Sequence, residues 1–164
     1  IHLFHFMSYG LDGFAFAVEA LAGRALGARD AQALKAMVRS AAMWSAVTAL
    51  AFSLLYLVLG HWLIMAITTV PSVVDIATAH LWWLVAAPLV SVWCYLFDGV
   101  FFGTTHTKEA RNSILLAALA YFSLLPFLLP AFGNHGLWLG VLIFMAIRGV
   151  CLIAWYPRVL LACT

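Results

Sequence analysis

An all-α integral membrane protein, a bundle of five transmembrane helices, is the fold this sequence predicts. Three observations predict it. Of 164 residues, 66% are hydrophobic and only 9% charged. Apolar runs long enough to cross a bilayer recur along the chain, and the basic residues gather in alternate connections between them. A soluble domain carries roughly 25% charged residues, so a water-soluble globule is excluded. The net charge of +2 leaves no basic surface for nucleic acid, and the partner this composition calls for is membrane lipid.

A helix needs about 20 apolar residues to span the hydrocarbon core. The first stretch that meets this is 1–23. It carries His5, Asp12 and Glu19 at seven-residue spacing, which drifts only about 20° around a helix, so the three share one face. The connection after it holds Arg24, Arg29, Asp30, Lys35 and Arg39. The second stretch is 40–67, followed by a connection, Thr68–Ile76, without Lys or Arg. The third, 77–103, contains Pro88, which is expected to kink it or free a carbonyl toward a cavity. Lys108, Glu109 and Arg111 follow. The fourth, 112–132, contains Pro126 and leads into Gly133–Gly136, again without Lys or Arg. The fifth, 137–157, carries Arg148 near its centre, with Pro157 marking its end and Arg158 beyond.

Alternation of five spans puts seven of the eight basic residues on one side, as the positive-inside rule requires. The expected location is a cell inner membrane, multi-pass, with loops 24–39 and 104–111 and the C-terminus cytoplasmic. The N-terminus then lies outside. With Ile1 at the start and no charged segment before the first apolar run, the chain is expected to be a fragment lacking at least one preceding helix.

Small residues at helix-packing spacing, Gly23 with Gly27, Gly99 with Gly103 and Gly13 with Ala17, allow close backbone approach. Cys94, Cys151 and Cys163 lie in or beside apolar runs with no metal-binding or disulfide pattern. His2 and His5 lack a third ligand, so no metal site is expected. There is no phosphate-binding glycine loop and no nucleophile–base pair, so neither an enzyme nor a cofactor is expected.

A charge inside a span costs roughly 2.5–3.5 kcal/mol on insertion scales and is a functional candidate by default. Asp12, Glu19, Asp98 and Arg148 are such charges. His5, Asp12 and Glu19 form a line along which protons could pass; the alternative is a fixed Asp12–Arg148 ion pair holding two helices together. Asp98 stands among Trp93, Tyr95, Phe97, Phe101 and Phe102, a setting that suits an organic cation. Aromatic residues near a membrane boundary also form interfacial belts, and Trp82, Trp83, Trp138 and Trp155 fit that reading.

Two runs carry a resemblance. LDGFAFAVEALAGRALGARD, Leu11–Asp30, and FDGVFFGTTHTKEARN, Phe97–Asn112, resemble the multidrug and toxic-compound extrusion (MATE) family, in its DinF-like branch. The resemblance implies the last five of twelve helices, part of the C-terminal six-helix half of a secondary antiporter. In that family two bundles rock around a central cavity, and drugs or other organic compounds leave as protons or sodium enter. It places Asp12 and Glu19 on acidic positions of the eighth helix and Asp98 on that of the tenth. It also implies a missing N-terminal bundle, with the coupling aspartate of the first helix absent from this chain. No acid occurs in Trp82–Tyr95, so the family's other sodium-site pattern is incomplete. Ion-coupling candidates are therefore Asp12, Glu19, Asp98 and His5, with Arg148 as charge partner and Trp93, Tyr95 and Phe97 as substrate contacts. A lipid-linked oligosaccharide flippase would need a broader basic cavity, and a structural subunit would pair all its intramembrane charges.

Overall fold

The computed structural model describes residues 2–163; Ile1, where the first expected span begins, lies outside them. Six helices account for nearly all of these: α1 (His2–Gly27), α2 (Ala31–Ile67), α3 (Pro71–Ala79), α4 (Leu81–Gly103), α5 (Thr107–Phe132) and α6 (Asn134–Ala162). No strand is present among the described residues. Four helices, α2, α4, α5 and α6, are long and apolar enough to cross a membrane. α1, the first of the five expected spans, is not among them. Its 26 residues are long enough, at about 39 Å, but His2, His5, Asp12, Glu19 and Arg24 interrupt its apolar surface.

Several boundaries differ from expectation. α2 begins at Ala31 rather than near 40, because the Asp30 side chain caps it by accepting from the Ala33 amide at 2.8 Å. Its 37 residues reach about 55 Å, well beyond a hydrocarbon core of about 30 Å, so exposed Lys35 and Arg39 ride on a helical extension. The expected third span breaks at His80, and its first part belongs to the separate short helix α3, started by Pro71 in its first turn. Pro157 does not end the last span. It lies inside α6, where its missing N–H interrupts one bond of a helix that continues to Ala162.

The two connections at the basic end are built alike. Arg29 and Thr105 adopt left-handed backbone, at φ 52° and 60°. After each, a pair of backbone bonds closes the preceding helix: Arg29 N–H to Leu26 and Asp30 N–H to Ala25, then Thr105 N–H to Phe102 and His106 N–H to Phe101. This double closure satisfies carbonyls a helix end leaves open.

Inter-helix contacts set the directions. Ser8 meets Tyr95, and Ala15 and Glu19 meet Gly99 and Gly103, so α1 and α4 run parallel. Contacts of α6 with α4, from Trp83–His135 to Asp98–Arg148, make that pair parallel too. α2 runs against α1 and α4, as Tyr56–Leu3 and Ser53–Val85 show, and α5 runs against α6. The loops with Arg24 to Arg39 and Lys108 to Arg111 therefore share one end of the bundle with Arg158.

α4 is the centre, packed on by α1, α2 and α6. Glycine makes the closest approach. A side chain at Gly99 or Gly103 would collide with the backbone carbonyls of Ala15 and Glu19, and one at Gly23 would come within 2.9 Å of the Gly103 carbonyl. Gly13 and Gly27 face open space and take no part in this seam. The apolar core falls into two clusters: one toward the basic end, around Leu34, Val100, Phe101, Leu152 and Val159, the other toward the opposite end, around Met7, Leu11, Tyr56, Leu84 and Leu142.

Candidate functional site

Between the two apolar clusters the parallel helices α1, α4 and α6 each contribute polar side chains. On α4 Asp98 directly precedes Gly99, and on α6 Arg148 directly precedes Gly149. Gly99 lets the α1 backbone come close, whereas at Gly149 α6 meets α4 in ordinary contact, an added carbon lying 3.4 Å from the Trp93 Cβ and 3.5 Å from the Cys94 nitrogen. α6 lies against α4 at this level, and the two charges are within reach of each other.

They meet closely. Arg148 Nη2 donates to both Asp98 oxygens, at 2.9 and 2.7 Å, and the two side chains are 13% and 14% exposed. The guanidinium carbon also lies 5.7 Å from the Phe144 ring centre, one turn earlier on α6, where the ring face attracts a cation. The Cys94 thiol donates to Asp98 Oδ2 at 3.6 Å. Arg148 Nε is buried and has no hydrogen-bond partner among the described residues. A single terminal nitrogen thus serves both carboxylate oxygens, instead of the two-pronged fork arginine can offer.

The fixed Asp12–Arg148 pair considered from the sequence is therefore not the one that forms: arginine selects Asp98. Asp12, on α1, is half-buried and has neither ion pair nor side-chain hydrogen bond among the described residues. It is near enough to act electrostatically on Asp98, Cys94 and Tyr95. One turn before it, Ser8 accepts from the Tyr95 hydroxyl at 2.9 Å, tying α1 to α4 at this level.

The remaining candidates lie apart from this group. His5 is exposed and stands beside Tyr9, ring centres 6.4 Å apart. Glu19 is exposed, and it is its backbone carbonyl that meets Gly103. No hydrogen bond joins His5, Asp12 and Glu19 among the described residues. Of the aromatic candidates, Tyr95 belongs to the layer and Trp93 is partly exposed beside Gly149. Phe97 is buried in the apolar cluster toward the basic end, edge-to-face with Tyr156 at 5.5 Å. Sequence reasoning overlooked Ser8 and Cys94, because a lone serine or cysteine in an apolar run carries no signal until its neighbours are known. The same holds for Ser45 and Ser91, whose buried hydroxyls have no hydrogen-bond partner among the described residues.

Comparison with known proteins bears on these helices directly. The MatE family model matches residues 1–127. The chain belongs to the MatE family. Over 156 residues it is also 46% identical to the DNA damage-inducible protein F of Escherichia coli (strain K12), covering 95% of this chain and 34% of that protein. The chain spans about a third of the length of that relative. No solved structure matches it significantly. Within this MatE chain Asp12, Glu19 and Asp98 all fall in the stretch the family model covers, whereas Arg148 and the rest of α6 lie beyond it. Both runs that carry the resemblance lie inside that stretch, and each supplies one side of the seam, Glu19 and Gly23 from the first, Gly99 and Gly103 from the second.

Proposed function

We propose that this chain is the C-terminal bundle of a secondary transporter that exports small organic compounds, cations included, in exchange for protons or sodium, and that Asp12 is the acid that takes the coupling ion. The observation that carries this reading is an asymmetry between two carboxylates: Asp98 is neutralised by Arg148, whereas Asp12 stands half-buried beside the pair without a counter-charge. An unpaired carboxylate in a low-dielectric interior is costly, and a proton or sodium ion at Asp12 removes that cost. Binding there shifts the bundle only if its two states hold the ion unequally. Arg148 would supply the means: its Nε has no partner among the described residues, so in a second state it would have capacity for a charged Asp12.

Tyr95 and Trp93 would flank the organic substrate, and the rest of the pathway would come from an N-terminal bundle in the full-length protein. The basic end faces the cytoplasm on this reading, because positively charged loops are retained on that side. The test is Asp12→Asn in the full-length transporter, reconstituted in vesicles with an imposed proton or sodium gradient and a fluorescent organic cation. Ion-driven movement is expected to fall to the leak rate. Wild-type transport with unchanged pH dependence would overturn the assignment.

A further inference from the structure

At the end of the bundle opposite the basic loops, two histidines meet. His80 joins α3 to α4 and His135 lies in the first turn of α6. Their rings stack with centres 4.2 Å apart and planes 13° from parallel. The Trp83 Nε1 hydrogen bonds to His135 Nδ1 at 2.8 Å. His80 Nδ1 lies 2.8 Å from the Ile76 carbonyl, and its Nε2 lies 3.2 Å from Asn134 Nδ2.

These partners determine the protons. An indole N–H only donates, so His135 Nδ1 accepts and is unprotonated. A carbonyl only accepts, so His80 Nδ1 carries its hydrogen and Nε2 accepts from the Asn134 amide. Neutral rings fit the partners found at both nitrogens of His80 and at Nδ1 of His135. A proton added to His135 Nδ1 sets donor against donor at Trp83, whose indole can only donate, whereas one added to His80 Nε2 is met when the exposed Asn134 amide turns its oxygen to the ring. Two cationic rings at this separation would also repel each other strongly.

Among the described residues no carboxylate is bonded to either ring to offset such a charge. From α1, His2 lines the cavity beside the pair; from α2, His61 contacts Thr78 at 3.2 Å. Asp75 on α3 is exposed and forms no ion pair among the described residues. α4 offers only Trp83, and the last turns of α5 before Phe132 contain no titratable residue.

The pair fastens the α3–α4 junction to the start of α6. Both elements wall a cavity of about 310 Å³ that includes His2, Ile64, Ile76, His80, Asn134 and Trp138, a volume within the range of small-molecule sites. We propose that His80 and His135 are a proton-binding clasp on this cavity, closed while both rings are neutral and released when His135 takes up a proton, so that the first turn of α6 parts from the α3–α4 junction. The clasp is distinct from the Asp12 layer and does not depend on its role.

The experiment places spin labels at the exposed positions Ala79 and Ala131 of the full-length protein, in a background without other reactive cysteines, and reads the distance between pH 8 and pH 5, the interval in which histidine ordinarily changes charge. A single short distance is expected at the alkaline end. On acidification the closed-to-open ratio falls about tenfold, the factor for turning one hydrogen bond into a repulsive contact. H80F/H135F, which keeps two stacking rings without the titratable nitrogens, stays closed throughout, and D12N widens as the wild type does. W83F, should the double variant not fold, moves the midpoint to higher pH by removing the opposing donor. A distance that does not change with pH in the wild type, widening that survives in H80F/H135F, an unmoved midpoint in W83F, or widening abolished by D12N would each overturn the proposal.

Discussion

α4 and α5 are both apolar helices of membrane-spanning length, and they lead opposite lives. The most apolar window of α4 has a mean hydropathy of 1.7 and is 61% buried, whereas that of α5 reaches 2.1 and is 6% buried. The more hydrophobic helix is the one left outside. In water that would be a contradiction, but in lipid an apolar surface gains nothing by leaving the hydrocarbon, and association is driven by close packing and hydrogen bonds. α4 has the means for both: Gly99 and Gly103 against α1, Asp98 toward Arg148, and Tyr95 toward Ser8. α5 packs chiefly on α6, where Gly136 and Gly140 receive Leu128 and Tyr121, and turns Leu119, Phe122 and Phe127 outward.

The contrast can be broken most forcefully at the ion pair. Arg148→Met strands Asp98 in the buried layer and is expected to lower stability in detergent by about 3–5 kcal/mol, read as an earlier unfolding transition. The double variant D98N/R148M recovers most of that loss, because the cost lies in the unpaired charge rather than in a missing contact. If the double variant is as unstable as the single one, the pair is not what joins α4 to α6.

Next comes the seam. Gly103→Leu must push α1 off α4, since the new side chain meets the Glu19 carbonyl; a cost of about 1–3 kcal/mol or more is expected for such overpacking, in the same unfolding measurement. The smallest effect sharpens the comparison from the other side. Phe127→Ala on α5 removes a larger side chain, but one that is 74% exposed, and is expected to change stability by no more than about 0.5 kcal/mol. Equal losses at Gly103 and Phe127 would mean that α5, too, is structurally central.

Much of this was legible without coordinates. Apolar length located five spans, of which four correspond to helices long and apolar enough to cross a membrane, and the basic residues around Arg24–Arg39 and Lys108–Arg111 sorted the connections into two ends, because hydrophobicity and charge are summed over neighbours in the chain. Of the small-residue pairs, Gly99 with Gly103 was a true seam, while Gly13 and Gly27 face open space; spacing alone does not say which side of a helix meets a partner. α3 and the continuation of α6 past Pro157 were missed because a proline marks a lost N–H, and the fate of the helix around it depends on what else holds it. The polar layer was half legible. Its acids announced themselves by their expense in an apolar run, but Ser8 and Cys94 did not.

What the chain determined by itself was the material: helices of membrane length, the end on which the cations gather, and the costly residues placed within apolar runs. Only the tertiary structure decided which acid receives Arg148. Asp12 and Asp98 are both carboxylates followed by glycine, and their places in the chain do not say which of them meets Arg148. The choice rests on the rotation and depth at which α6 meets α4, seen where Gly149 lies against Trp93 and Cys94, a contact between residues more than fifty positions apart.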